Sequence, residues 1–247
     1  MAFRKLFLKE ARAALPLYVV FCAAILLLHL LFLYKKDDWN PDYIPAFTLF
    51  LPYLFAGMLA VGLGYYQLHS EWRSNSVYLM LSLPVRGWKV LAAKLAATLA
   101  LLAATSLWIA GSFAATLLPS QWRELNADEQ VADAFPALFN LAAHLMWMYA
   151  FFVALFIVVV QFAYLCGQLV ARFKWLVVFA AFFAVLWLIM RLNPLLSDAL
   201  RWAPEIIIGG SELDKVYFNS GPFIGLAILG AALAWLNGYI LEKEVEV

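Results

Sequence analysis

Six stretches of more than fifteen residues in this chain contain no Asp, Glu, Lys or Arg: residues 13–34, 43–70, 95–122, 134–171, 175–190 and 216–241. A bilayer core about 30 Å thick is crossed by about 20 helical residues, because hydrocarbon offers an unpaired backbone amide no partner. Five stretches meet that length. The sixth continues past Arg191, whose long side chain can carry its charge to the interface. The 38 residues of 134–171 read as one helix rather than two, since nothing between Leu141 and Leu165 builds a turn, whereas Pro136, Asn140 and Gly167 mark the ends. The sequence therefore predicts an all-α integral membrane protein with six spans, at about residues 16–34, 43–68, 90–118, 137–166, 174–192 and 221–241 of a single domain.

Composition agrees: 66% of residues are hydrophobic and 13% charged, against about 25% charged in soluble domains. A net charge of +1 gives a nucleic-acid partner no footing. The first apolar run passes into Lys35, Lys36 and two aspartates instead of a small-residue cleavage site, so the first span is expected to be retained. Six spans place both termini on one side. That side carries Arg4, Lys5, Lys9, Arg12, Arg73, Arg86, Lys89, Lys94, Arg172, Lys174 and Lys243; the other has only Lys35, Lys36, Arg123, Arg191, Arg201 and Lys215. The positive-inside rule makes the richer side cytoplasmic, in the plasma membrane of the cell.

Residues 1–15 set Phe3, Leu6, Phe7, Ala11 and Ala14 on one helical face and Arg4, Lys5, Lys9 and Arg12 around the rest. Such a helix is expected to lie in the cytoplasmic interface, its four basic residues acting as anchors, until Pro16 turns the chain into the membrane. Cys22 and Cys166 sit in apolar runs and suggest no disulfide scaffold. His29, His69 and His144 fall on different spans without metal-ligand spacing and are expected to hydrogen-bond between packed helices. Trp108, Trp147, Trp187 and Trp235 lie deep in spans and are expected to serve packing. The outer segment 193–221, with Pro194, Pro204, Gly209 and Gly210, reads as a short helix over 195–202 and a turn, Ile206 to Ile208 suiting buried or membrane-dipping structure, or equally as a lid resting on the outer helix ends.

Residues 69–89 differ from the other connections. Glu71, Arg73, Ser74, Asn75 and Ser76 supply a polar start, Val77 to Leu83 form an apolar patch too short to span, Pro84 ends it, and Arg86, Lys89 and Lys94 follow. An amphiphilic helix held between two spans can take a push from a soluble protein and pass it to both, with Val77, Tyr78, Met80 and Leu81 as anchors for a groove. Composition alone leaves a merely interfacial loop equally open.

The pattern of Glu71, Asn75 and Ser76, then Leu81, Ser82, Leu83, Pro84, Val85 and Arg86, and finally Lys94 with Leu95 resembles the cytoplasmic motif of type-2 ATP-binding-cassette transporter permeases. The N-terminal amphipathic helix ending near Lys9 and Glu10 is also similar to theirs. The family often has Gly and Thr where this chain has Asn75 and Ser76, and Gly at Ala93. The resemblance implies a non-catalytic half of an exporter. Two permeases pair, as a homodimer or heterodimer, and each docks a cytosolic ATPase subunit that carries the ATP and Mg. Glu71, Arg73, Asn75, Ser76, Tyr78, Leu81, Pro84 and Arg86 would be the coupling residues. The chain has no GxxxxGK[ST] loop and no glycine followed by lysine, so it would bind no nucleotide cofactor and borrow its energy. Uncharged spans favour a hydrophobic or amphiphilic cargo, lipid-like or peptide, and disfavour an intramembrane enzyme or a proton-coupled carrier. A scaffold or sensor subunit that docks the ATPase without transporting is left open.

Overall fold

An apolar run can satisfy its backbone in lipid as a helix, and each of the six uncharged stretches contributes most of its described residues to one. A computed structural model describes residues 2–35, 46–76, 86–116, 129–208 and 215–243. Its helices are α1 (Ala2–Lys35), α2 (Leu51–Arg73, entered through a π-helical turn at Ala46–Phe50), α3 (Gly87–Thr116), α4 (Glu129–Gln168), α5 (Lys174–Ala199) and α6 (Gly221–Lys243). All six are long and apolar enough to cross a membrane. The chain is a multi-pass, mostly helical membrane protein, and run 134–171 is the single helix its lack of turn residues predicts.

Three local expectations change. Pro16 lies inside α1, which continues unbroken from Ala2 to Lys35, so no separate helix ends there. A proline in a membrane helix forfeits one amide bond, a loss that neighbouring groups can absorb. Pro194 likewise lies inside α5, which carries on to Ala199 in place of a separate helix over 195–202. Beyond it, Glu205–Ile208 (β1) and Val216–Asn219 (β2) form an antiparallel hairpin with Ile206 opposite Phe218 and Ile207 opposite Tyr217. Runs of β-branched and aromatic residues favour this pairing. The Ser220 hydroxyl donates to the Pro204 carbonyl and closes its base.

Helix α3 is central, packed on α1, α2 and α6; α4 packs on α2, α5 and α6, and α5 lies against α4 and α6. Small residues let the axes approach. A Cβ added at Gly64 of α2 would come 2.7 Å from Ile157 Cγ2 of α4, and one at Gly238 of α6 would come 2.6 Å from Trp88 Cβ of α3. The Gly87 amide at the start of α3 donates to the Glu242 carboxylate at the end of α6. Around these approaches Ala56, Ala60, Leu102, Ile109, Val153 and Ile157 fill the middle of the bundle, and Leu68, Val90, Leu91, Tyr164, Leu165 and Leu241 fill one end. Val20, Leu27, Phe183, Trp187 and Met190 project outward uncovered, which suits side chains whose solvent is hydrocarbon.

Helix α1 is fastened to α3 by two polar knots. At one end Glu10 meets Lys94. At the other, fully buried His29 bonds the Ser112 hydroxyl through Nδ1 (2.8 Å) and the Thr48 carbonyl through Nε2 (2.8 Å). Residues 10 and 29, or 94 and 112, are separated by about 27–29 Å at 1.5 Å per residue, close to the thickness of a bilayer core. His144 Nδ1 pairs within its own helix, with the Asn140 carbonyl at 2.8 Å. Trp108 Nε1 donates to the Cys22 carbonyl at 3.0 Å, and Trp147 packs edge-on against Phe223, whereas Trp187 and Trp235 point away from the bundle.

Gly238→Ala is expected to lower the unfolding temperature in detergent, equivalent to about 1–3 kcal/mol of overpacking, because the methyl meets the Trp88 backbone as well as its side chain. Gly111→Ala, where an added Cβ meets nothing within 4 Å, is the control and is expected to leave it unchanged or slightly raised.

Candidate functional site

The edges of the uncharged stretches bring charge together. Glu10 lies three residues before the first stretch, Glu71 ends the second and Lys94 precedes the third. All three are buried at the same end of the bundle, on α1, α2 and α3. Lys94 Nζ donates to Glu71 Oε1 at 2.9 Å and to Glu10 Oε1 at 3.0 Å, and the lysine is 1% exposed. The mostly exposed Lys9 approaches both carboxylates at 3.5 Å and brings the group to zero net charge. Its share is small because water screens an exposed ammonium.

Burying a charge is tolerable only when it is paired and hydrogen-bonded, so the lysine and its two carboxylates hold one another in place. Charge-assisted bonds of this length also fix direction. The consequence is mechanical: one ammonium ties three helix ends, and none can shift alone without exposing or orphaning a charge. One turn deeper, Gln67 Oε1 accepts from Thr98 Oγ1 at 3.5 Å, extending the seam between α2 and α3. Among the described residues, Glu71 Oε2 and Gln67 Nε2 are buried without a hydrogen-bond partner.

The sequence-selected residues divide around this cluster. Glu71 is on the last turn of α2 and turned inward, not outward. Arg73 is the last residue of α2 and exposed. Ser74 closes the helix through bonds to the Ser70 and Trp72 carbonyls from the amides of residues 74 and 75, and Asn75 takes a left-handed conformation at φ 55°. Asparagine is the common substitute for glycine at such a helix end. The Ser76 hydroxyl lies 3.0 Å from that of Ser74 and 3.4 Å from the Glu71 carbonyl, folding the polar turn back onto α2. Arg86 is exposed immediately before α3. Tyr78, Leu81 and Pro84 lie outside the described residues. Arg4, Lys5 and Arg12 are exposed on α1, and of the four N-terminal basic residues Lys9 alone reaches the cluster.

Sequence reasoning missed the centre of the site. The sequence sets Lys94 in the motif that carries the resemblance and Glu10 at the end of the N-terminal amphipathic helix, but does not mark either as a site residue or pair them. The available signal was that Glu10 is the only acidic residue before position 37, set among arginines and lysines at the lip of an apolar run. Among the described residues no three His, Cys, Asp or Glu side chains converge in a way that could hold a metal ion. No family model, curated protein or solved structure matches the chain.

Lys94→Met is expected to destabilise the detergent-solubilised protein by about 3–5 kcal/mol, since Glu10 and Glu71 would face each other buried without a cation. Glu71→Gln, which leaves the Lys94–Glu10 pair, is expected to cost less, and the triple change Glu10→Gln, Glu71→Gln, Lys94→Met to recover most of the loss. Thermal unfolding of the four proteins gives the order.

Proposed function

We propose that the chain is the permease subunit of a type-2 ATP-binding-cassette exporter. It would sit in the plasma membrane with both termini cytoplasmic, pair with a second permease, and move a hydrophobic or amphiphilic substrate outward with ATP hydrolysed by a separate subunit. The observation that supports this reading is the convergence of Glu10, Glu71 and Lys94. These three belong to the segments that carry the resemblance, lie far apart in sequence, and are joined by one ammonium. Asn75 adds to it: where the resembled motif carries Gly, this chain has a residue in the left-handed region that glycine favours.

The geometry supports a mechanism for this reading. Exposed Arg73, Asn75 and Arg86, with half-buried Ser76, form the rim through which a cytosolic ATPase would engage the segment between α2 and α3. Glu71, two residues behind Arg73, does not touch that partner but holds Lys94, which holds Glu10. A displacement of the rim is thereby delivered to α1, α2 and α3 as a unit, and through the Gly87–Glu242 bond to the end of α6. Arg4, Lys5, Lys9 and Arg12 would keep the start of α1 among lipid headgroups.

Purification from its native host in mild detergent is expected to bring down a phosphate-loop ATPase. Arg73→Glu is expected to weaken that association about tenfold, as a like charge placed at a docking rim does, without changing membrane insertion. Absence of any ATPase with the unaltered protein contradicts the proposal. An ATPase that binds the unaltered protein while no candidate cargo moves selects the scaffold reading.

A further inference from the structure

Between α3, α4 and α6, at the end of the bundle that carries the Lys94 cluster, a groove of about 550 Å³ opens on the side of the protein. That volume lies within the range of small-molecule sites. Leu95, Ala234 and Trp235 are among its apolar walls, and Trp88 and Arg86 stand toward its mouth. Gln161 of α4 lines it, 2% exposed, and its Nε2 donor has no hydrogen-bond partner among the described residues. A buried amide left unsatisfied is costly, and in hydrocarbon no water relieves it.

The depths of the two polar groups differ in a telling way. Arg86 stands immediately before α3, at the end of a membrane-length helix, where a headgroup region is expected. Gln161 is seven residues from the end of α4 at Gln168, or about 10 Å further into the membrane at 1.5 Å per residue. A cation at the surface, a single donor below it and apolar walls beside the donor match, in order, the phosphate, the ester carbonyl and the acyl chain of a glycerophospholipid. Lys89, exposed and not itself a wall of the groove, holds its ammonium 5.6 Å from the Trp88 ring centroid, so two cations stand near the mouth against the single Glu242 carboxylate, which accepts from the Gly87 amide. The rim therefore favours an anionic head.

We propose that this groove is a specific site for one anionic glycerophospholipid of the adjacent leaflet, its phosphate held by Arg86 and an ester carbonyl accepting from Gln161 Nε2. The site stands on the groove alone and holds whether or not the chain transports anything.

The test is native mass spectrometry of the delipidated full chain titrated with phosphatidylglycerol, with phosphatidylcholine of the same acyl chains, and with inorganic phosphate. One phosphatidylglycerol is expected to bind saturably and ahead of phosphatidylcholine, and phosphate is expected not to compete. Arg86→Gln and Gln161→Leu are each expected to weaken that binding about tenfold. Ala234→Trp, which fills the groove without touching either polar group, is expected to abolish it, and Arg172→Gln, an exposed basic residue outside the groove, to leave it intact. Unfolding temperatures taken without lipid separate lost binding from lost structure, and Ala234→Trp decides the matter should Gln161→Leu fail to fold. Equal uptake of the two lipids, insensitivity to Gln161→Leu and Ala234→Trp in folded protein, or displacement by phosphate would each overturn the proposal.

Discussion

A lysine that is 1% exposed can remain charged inside a membrane protein only if acid is within bonding distance, and Lys94 has two carboxylates, at 2.9 and 3.0 Å. The arrangement of one end of the molecule follows from that requirement. Glu10 draws the start of α1 onto α3, and Glu71 holds the end of α2 against the same residue. The polar turn at 74–76 then leaves from a fixed point. Hydrophobic packing cannot give this registration in a bilayer, where lipid tails are as apolar as the helices they would replace. Small residues permit close approach between α2 and α4 or α3 and α6, and the buried polar knots choose the register between α1 and α3.

The second knot, His29 with Ser112 and the Thr48 carbonyl, does the same work at the opposite end. Between the two lies roughly the thickness of a hydrocarbon core. Helix α1 makes few approaches to α2, so without these knots it would be held to the bundle mainly by its apolar face on α3. An outer helix fixed at both ends to a central one moves with it, which is the property a transmitted displacement needs.

The number and identity of the spans were legible because a single physical rule, no charge in hydrocarbon, writes itself directly into the sequence. His29 was legible as a hydrogen-bonded residue between helices for the same reason. Less legible were features decided by tertiary partners. Pro16 and Pro194 read as breaks, yet both helices pass through them, because in lipid the alternative to a helix with one missing bond is worse than the missing bond. Ile206 to Ile208 suit a membrane-dipping run because their partner strand lies eight or more residues away in sequence, and nothing local announces the pairing. Glu71 read as an outward contact because polarity beside a span is usually solvated; only the positions of Lys94 and Glu10, 23 and 61 residues away in sequence, turn it inward. Arg73, Asn75 and Arg86 are exposed, as polar residues beside a span usually are.

The proposed function requires the end of the bundle tied by Lys94 to face the inside of the cell, so that a nucleotide-driven partner could reach the turn after Arg73. A lone cysteine at Ser76, in a chain whose Cys22 and Cys166 are replaced by alanine, reads that orientation directly through an impermeant thiol reagent. Protection in intact cells with rapid labelling once the membrane is opened is the expected result. Equal labelling from outside intact cells would put the tied end on the wrong face and contradict the account.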